Sequence, residues 1–462
     1  MEKQLCRLFQ IGMKYGCYVL PWRMPEVIEG PGSIKKLPEF IREKGHKNVL
    51  VVTDQSLMKL HLLDTMLEAM AQQQVSYTLY DTVTPNPTDI QVEKGVALYQ
   101  KNDCEAIVAV GGGSPMDCAK AIAARIARPK KTIEQLQGLL RVMAKIPVIY
   151  AVPTTAGTGS ETTIAAVITC EKNHHKASIN DVSIMPYYAV LDAELTAGLP
   201  KHITAATGMD ALSHAVEAYT NNKYNTALEK DLCRKAVKLI YENLYTAYEN
   251  GNNLEARQNM QKAAFYAGRA FSRGCVGYVH AIGHALGGKY GTPHGVAMSA
   301  LLPLVMREYG EAVHERLAEL CDVCGIIAEG SEKEKAEAFI RWIEEMNEKM
   351  QNTKYPPKLE TADFDQIAQW AYKEANPLYP VPVIWTKAEF KEFLQKIYNE
   401  KNKYSNNQAV MTGGKRFLLL RRFFLCAIIS LLPEHIFVFR QNSTRNGLKK
   451  QKYRYHIVRI MI

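Results

Sequence analysis

The 462-residue chain contains no run of the roughly 20 apolar residues that a membrane-spanning helix needs. The nearest candidate, Phe423–Leu432, is only ten residues long and follows Arg421 and Arg422. That segment is long enough to lie on a surface or pack into another chain, but not to span. The opening stretch, Met1–Phe9, is charged and lacks the apolar core of about 7–15 residues found in a secretory signal. No second Cys-x-x-Cys accompanies Cys321-Asp-Val-Cys324, so a zinc ribbon is unsupported and both read as core cysteines of an apolar helical stretch. Ten scattered cysteines without a leader lead us to expect reduced thiols and a cytoplasmic location. Internal repeats are absent. Excess charge is also absent from most of the chain. From Lys403 onward twelve Lys and Arg face one acid, Glu434, and this stretch accounts for the whole net charge of +10. The nearly neutral body gives no reason to expect nucleic acid as a partner, and Lys449-Lys450-Gln-Lys452 reads as part of a solvated tail.

What is present is ordinary for a globular protein. With 47% hydrophobic and 23% charged residues, the chain is not disordered, collagen-like or coiled-coil. In the first third, apolar runs at Asn48–Thr53, Ser76–Tyr80, Ala106–Val110 and Pro147–Val152 alternate with helical patterns. Those patterns run to about Gln73, over Thr88–Lys101 and over Asp117–Ala127. Strands that are apolar throughout and separated by helices predict a parallel sheet covered on both faces. After about Pro200 strand signals nearly vanish. Helical spacing then covers Ile203–Tyr219, Glu229–Tyr248, Asn253–Phe271, His280–Tyr290, Glu311–Ile327 and Glu332–Met350. The expected fold class is a Rossmann-like α/β dinucleotide-binding domain over 1–199, then an all-α metal- and substrate-binding domain over 200–402. An atypical, poorly structured basic tail is expected over 403–462.

Val110-Gly111-Gly112-Gly113-Ser114-Pro115-Met116-Asp117 lies between a strand and a helix. Glycines admit a phosphate close to the backbone, and the helix that follows offers free N–H groups and a positive dipole end. Pro115 suits a first helical turn. The usual dinucleotide fingerprint fails, because Met116 stands where its third glycine would be, and the Walker pattern fails too. Taken alone, the triple glycine is equally an ordinary tight turn. Two further strand ends point to a nucleotide cleft. Asp54 can accept hydrogen bonds from a ribose 2′-hydroxyl, and Pro153-Thr-Thr-Ala-Gly-Thr-Gly-Ser-Glu161 supplies small residues and hydroxyls.

A second constellation follows. Asp210 and His214 are i, i+4 and share a helix face; His280 and His284 form another such pair, and His294 follows in Thr292-Pro-His-Gly295. A single pair of this kind is usually an ordinary set of helix side chains. A carboxylate with three imidazoles, flanked by small residues, is a set that holds a divalent metal and leaves a position for substrate. His284 reads either as a fifth member or as a supporting partner. Such N/O donors suit Fe²⁺, Zn²⁺, Co²⁺ or Ni²⁺.

Together these motifs resemble the iron-containing (group III) alcohol dehydrogenase family, over about Tyr18–Tyr398. The segments that carry the resemblance are Gly111–Lys120, Pro153–Glu161, Thr207–Tyr219 and His280–Gly295. The resemblance implies metal-dependent, reversible hydride transfer between NAD(H) and a small alcohol or aldehyde, in a homodimer or larger assembly. It implies Asp210, His214, His280 and His294 as ligands of Fe²⁺, or of Zn²⁺ or another divalent ion, with His284 as proton relay. It puts Asp54 on the adenosine ribose, Asn86 near the adenosine, and Gly112, Gly113 and Ser114 on the pyrophosphate, with Gly111 and Asp117 also among the cofactor-binding residues. Thr154, Thr155, Thr158 and Lys176 would line the cofactor. An Asp at position 54 favours NAD over NADP, since it would repel a 2′-phosphate. Phe271 and Val276 would give the substrate pocket an apolar wall. Glycerol dehydrogenases and maleylacetate reductases share this fold and are the nearest alternatives. An inactive nucleotide-binding protein whose basic tail docks on a membrane or nucleic acid is another.

Overall fold

The structure, a computed structural model, describes residues 2–172, 176–221 and 223–405, together with the backbone of 438–440 and 455–457. Strands β1 (Glu26–Glu29), β2 (Asn48–Val52), β3 (Ser76–Tyr80), β4 (Ala106–Gly111), β6 (Val148–Pro153) and β9 (Tyr188–Leu191) form one sheet. Its order is β1-β9-β6-β4-β2-β3, and every pairing is parallel. A smaller sheet joins β5 (Gly138–Leu139), β8 (Lys176–Asn180) and β7 (Ala165–Thr169).

The central strands β2, β4 and β6 are apolar at nearly every position because both faces are covered, whereas the edge strands β1 and β3 are partly exposed and carry polar residues. Leu50, Val52, Ile107, Ala109, Ile149 and Ala151 turn to one face, against α5 (Asp89–Lys101) and α6 (Gly113–Ala127). Val49, Val51, Val108, Val110, Tyr150 and Val152 turn to the other, against α2 (Leu37–Glu43) and α4 (Asp64–Gln72). The two-residue period of a strand produces this division. Each fully buried Val, Leu or Ile contributes about 1.5–3 kcal/mol to holding the layers together.

Helices α1 (Glu2–Val19), α3 (Gln55–Lys59), α7 (Ile133–Leu136) and α8 (Glu194–Ala197) complete the region before residue 200. From there the chain is helical: α9 (Lys201–Thr220), α10 (Ala227–Glu249), α11 (Leu254–Gly274), α12 (Tyr278–Tyr290), α13 (His294–Tyr309), α14 (His314–Cys324), α15 (Glu332–Lys349) and α16 (Phe364–Ala375). A last helix begins at residue 387. Among the described residues no helix is long and apolar enough to cross a membrane.

Three departures from the sequence reading have local causes. The single helix expected before Gln73 is two, α3 and α4, parted at His61 with a φ of 57°. Helix α6 starts at Gly113, four residues before Asp117, so Ser114 and Pro115 lie inside its first turn. Helices α1, α13 and α16 were not anticipated. In α13, Pro303 breaks the sequence pattern inside the helix. In α1 the pattern is inverted: Cys6, Gln10 and Cys17 are buried while Leu5, Leu8, Ile11 and Tyr15 are exposed.

The chain divides into a unit of Met1–Ile397 and a unit of Tyr398–Ile462. The second unit is helical to 405 and contains an antiparallel pair of three-residue strands, β10 (Val438–Arg440) and β11 (Tyr455–Ile457). The rest of the expected basic tail lies outside the described residues.

Candidate active site

The strand order sets the place of the site. From β2 the sheet continues to β3 on one side and to β4, β6 and β9 on the other. A crevice opens beyond the carboxyl ends of strands where the winding reverses in this way. Asp54 follows β2, Gly111 ends β4 and Gly112 joins it to α6, which opens with Gly113 and Ser114, and Thr154, Thr155 and Thr158 follow β6.

Gly111 has a φ of 148°, and a Cβ on it would come within 2.6 Å of Pro115 Cγ, so the turn admits glycine alone. Gly112 caps α6 from extended backbone, which leaves the N–H groups of the first turn free for an anion. A Cβ on Gly112 would rest 3.6 Å from the Thr155 hydroxyl, and one on Gly113 3.2 Å from Thr158 Cγ2. The two threonines therefore border the glycine turn, and the Thr154 N–H is tied to the Gly111 carbonyl at 3.0 Å.

The other residues picked from the sequence have partners of their own. Asp54 Oδ1 caps α3, accepting from the N–H groups of Ser56 (2.8 Å) and Leu57 (3.1 Å). Asn86, at a φ of 58°, accepts from Lys176 Nζ at 2.8 Å, so these two distant residues are brought together. Asp117 too has partners within the protein. Its two oxygens accept from the Ser160 hydroxyl (2.9 Å) and the Val167 N–H (3.0 Å), so the carboxylate braces the threonine loop.

Sequence reasoning passed over the companion of Asp117. Lys120 is fully buried, and its ammonium donates to Ser160 Oγ (2.9 Å), Thr163 Oγ1 (2.8 Å) and the Ala165 carbonyl (2.9 Å). Burial brings the Lys120 amine down to about 8 and pushes the neighbouring Glu161 carboxyl up to about 7.

On the helical side, α9 carries Asp210 and His214, α12 carries His280 and His284, and α13 begins at His294. Asp210 Oδ1 lies 3.0 Å from His294 Nε2, 3.7 Å from His280 Nε2 and 3.9 Å from His214 Nε2. Asp210 Oδ1 and His280 Nε2 are both buried without a hydrogen bond. Such orphaned groups are costly unless something else satisfies them. Ligand atoms of Asp210, His280 and His294 all lie within 4.8 Å of one another, a spacing that fits a shared divalent cation. His214 adjoins this trio. Its ring stacks on His280 at 4.5 Å and on Phe271 at 4.2 Å between centroids. Burial, aided by the neighbouring imidazoles, brings His214 down to about 3, so it is a neutral nitrogen donor. Burial opposes ionisation of Asp210, but the imidazoles of His214 and His294 outweigh it and hold the carboxyl well below the usual range.

Glu217, a further residue the sequence did not single out, fixes the tautomer of His280. Its Oε2 lies 2.5 Å from His280 Nδ1 and its Oε1 accepts from the Val279 N–H at 2.7 Å. The available signal was its place one turn after His214 on the same helix.

Glycines bring the two sides into contact. A Cβ on Gly157 would come 2.7 Å from Thr207 Cβ of α9, and one on Gly159 2.6 Å from the Ala264 carbonyl of α11. The cofactor-side loop thus rests directly on the helix that carries Asp210. His284 stacks on His294 at 5.2 Å between centroids, and its Nδ1 lies 2.8 Å from Glu374 Oε1.

The family model described as "Iron-containing alcohol dehydrogenase" matches residues 25–193, and that of the C-terminal part of the same family matches 204–398. The chain belongs to the iron-containing alcohol dehydrogenases. Alcohol dehydrogenase 4 of Schizosaccharomyces pombe is 38% identical over 361 residues, covering 76% of this chain and 83% of that one. The 1,3-propanediol dehydrogenase of Klebsiella pneumoniae is 38% identical over 352 residues, covering 75% and 90%. A crystal structure of a 1,3-propanediol oxidoreductase superposes with a TM-score of 0.78 at 34% identity, covering 82% of this chain and all of that one. The alcohol dehydrogenase of Oenococcus oeni superposes at 0.77 with 35% identity. As a member of this family the protein is a metal-dependent, NAD-linked oxidoreductase acting on alcohols. The glycine turn and the Asp–His trio fit that chemistry.

Proposed function

We propose that this dehydrogenase interconverts a small primary alcohol and its aldehyde, with NAD preferred to NADP. The observation that carries the reading is the convergence of Asp210, His280 and His294 on one point, beside a glycine turn at the switch of the sheet. Asp210, His280 and His294, with His214 beside them, are the residues that would hold the ion. When bound, the ion supplies a Lewis acid for the substrate oxygen, and NAD supplies the acceptor for the substrate's hydride.

The chain's own residues bind and orient. The first turn of α6 receives the pyrophosphate, Thr154, Thr155 and Thr158 border it, and Asp54 keeps one carboxylate oxygen for a ribose hydroxyl. Its charge disfavours a 2′-phosphate. Phe271, stacked on His214, gives the substrate an apolar wall. His284, stacked on the His294 ring, is the group we assign to take the hydroxyl proton in oxidation and return it in reduction. We further propose a division near residue 199 between cofactor and metal domains, a cytoplasmic enzyme and an assembly of two or more copies. The described cysteines are all free, which supports a reducing compartment.

The test is anaerobic oxidation of NADH by the Fe²⁺-loaded protein with a panel of short aldehydes, repeated with NADPH. Aldehyde-dependent loss of NADH, much faster than loss of NADPH, is expected. Turnover with neither cofactor across the panel would overturn the small-aldehyde reading.

A further inference from the structure

We propose that Glu374 is the residue that positions His284 for proton transfer, an inference that rests on the proton assignment made above for His284. Glu374 lies in the last turn of α16, and its Oε1 lies 2.8 Å from His284 Nδ1. A carboxylate only accepts, so Nδ1 bears the hydrogen and Nε2 is left with the lone pair. The side chains are 45% and 31% exposed, so as a stabilising contact the pair counts for little. Its value is in fixing which nitrogen can accept a proton.

The contact is built in from both sides. At its N-terminal end α16 is tied to α12 by Lys289, which reaches the capping residue Asp363 (2.8 Å) and Gln366 (2.9 Å), and by the Tyr290 hydroxyl, which donates to Asp363 (2.9 Å). This fixes the register that sets Glu374 opposite His284. The Tyr379 hydroxyl donates to the same Oε1 at 3.0 Å. The chain after Glu374 is in turn held by Gln10 of α1, which is buried and donates to the carbonyls of Pro377 (3.1 Å) and Tyr379 (2.8 Å). Helix α1 precedes residue 25, where the match to the family model begins.

The experiment is a double-mutant cycle in kcat on the Fe²⁺-loaded full chain: wild type, Glu374→Ala, His284→Ala and the double variant, with NAD and a short alcohol. Bound iron per chain and NADH affinity by fluorescence are read for each. Glu374→Ala is expected to lower kcat roughly 10- to 100-fold in the wild-type background. The KM values, iron content and NADH affinity should hold within about twofold. In the His284→Ala background the same change should cost nothing further. An equal loss in both backgrounds would overturn the positioning role while leaving the proton assignment standing. Full kcat in His284→Ala would remove the proton assignment and, with it, this inference.

Discussion

The two sides of the cleft are made of different material. On the cofactor side the working groups are main chain: a left-handed glycine, a cap with extended backbone and the free N–H groups of one helical turn. On the metal side they are side chains, set on three helices and aimed at one point. Backbone sites depend on the absence of a methyl group, whereas side-chain sites depend on the presence of one particular atom. The two halves should therefore fail in different ways, and each failure should leave the other half working.

The largest effect is expected from Asp210→Ala. Removing the oxygen on which three imidazoles converge should abolish metal binding and lower turnover by about a thousandfold or more. Elemental analysis should show the loss of metal while NADH still binds with near wild-type affinity. Loss of NADH binding as well would mean that the halves are not separable. Gly111→Ala is the reciprocal experiment. A side chain forced to a φ of 148° against Pro115 carries about 1–3 kcal/mol of strain, which should weaken NADH binding roughly tenfold while metal content stays constant. Fluorescence titration and elemental analysis on one sample decide it.

The smallest effect concerns the brace on the cofactor side. Burial pushes Glu161 up to about 7 from an ordinary 4.5, so the fold favours its protonated form. Its contribution to stability is fully present below pH 4.5 and is lost as pH rises through about 7. Glu161→Gln should remove this downward slope, which urea midpoints measured across that window at constant ionic strength would show. An unchanged slope would place the titration elsewhere.

The contrast between main chain and side chain also governs how much the sequence reveals. The parallel sheet was legible because strands buried on both faces must be apolar at every position. The gathering of Asp210, His214, His280 and His294 was legible because helical spacing preserves side-chain chemistry in the sequence. Glu217 and Glu374 were not, since an acid on a helix is ordinary until its partner on another helix is known. Lys120 was hidden for the opposite reason, because a lysine is normally solvated and nothing local shows that this one is sealed in. The partners of Asp117 were not legible. Its two acceptors are filled by Ser160 and Val167, which are far along the chain. Helix α1 escaped notice because its large apolar residues face outward, and only Cys6, Gln10 and Cys17 are buried.

Gly157 and Gly159 have a consequence beyond packing. Where a loop touches a helix without any side chain between them, there is no compliant layer to absorb error. The glycine turn that would receive the cofactor and the Asp–His trio that would hold the ion are then set apart by a spacer of fixed thickness, and one added carbon at either glycine would push loop and helix apart. The gauge of the site is set at this seam and offers no latitude.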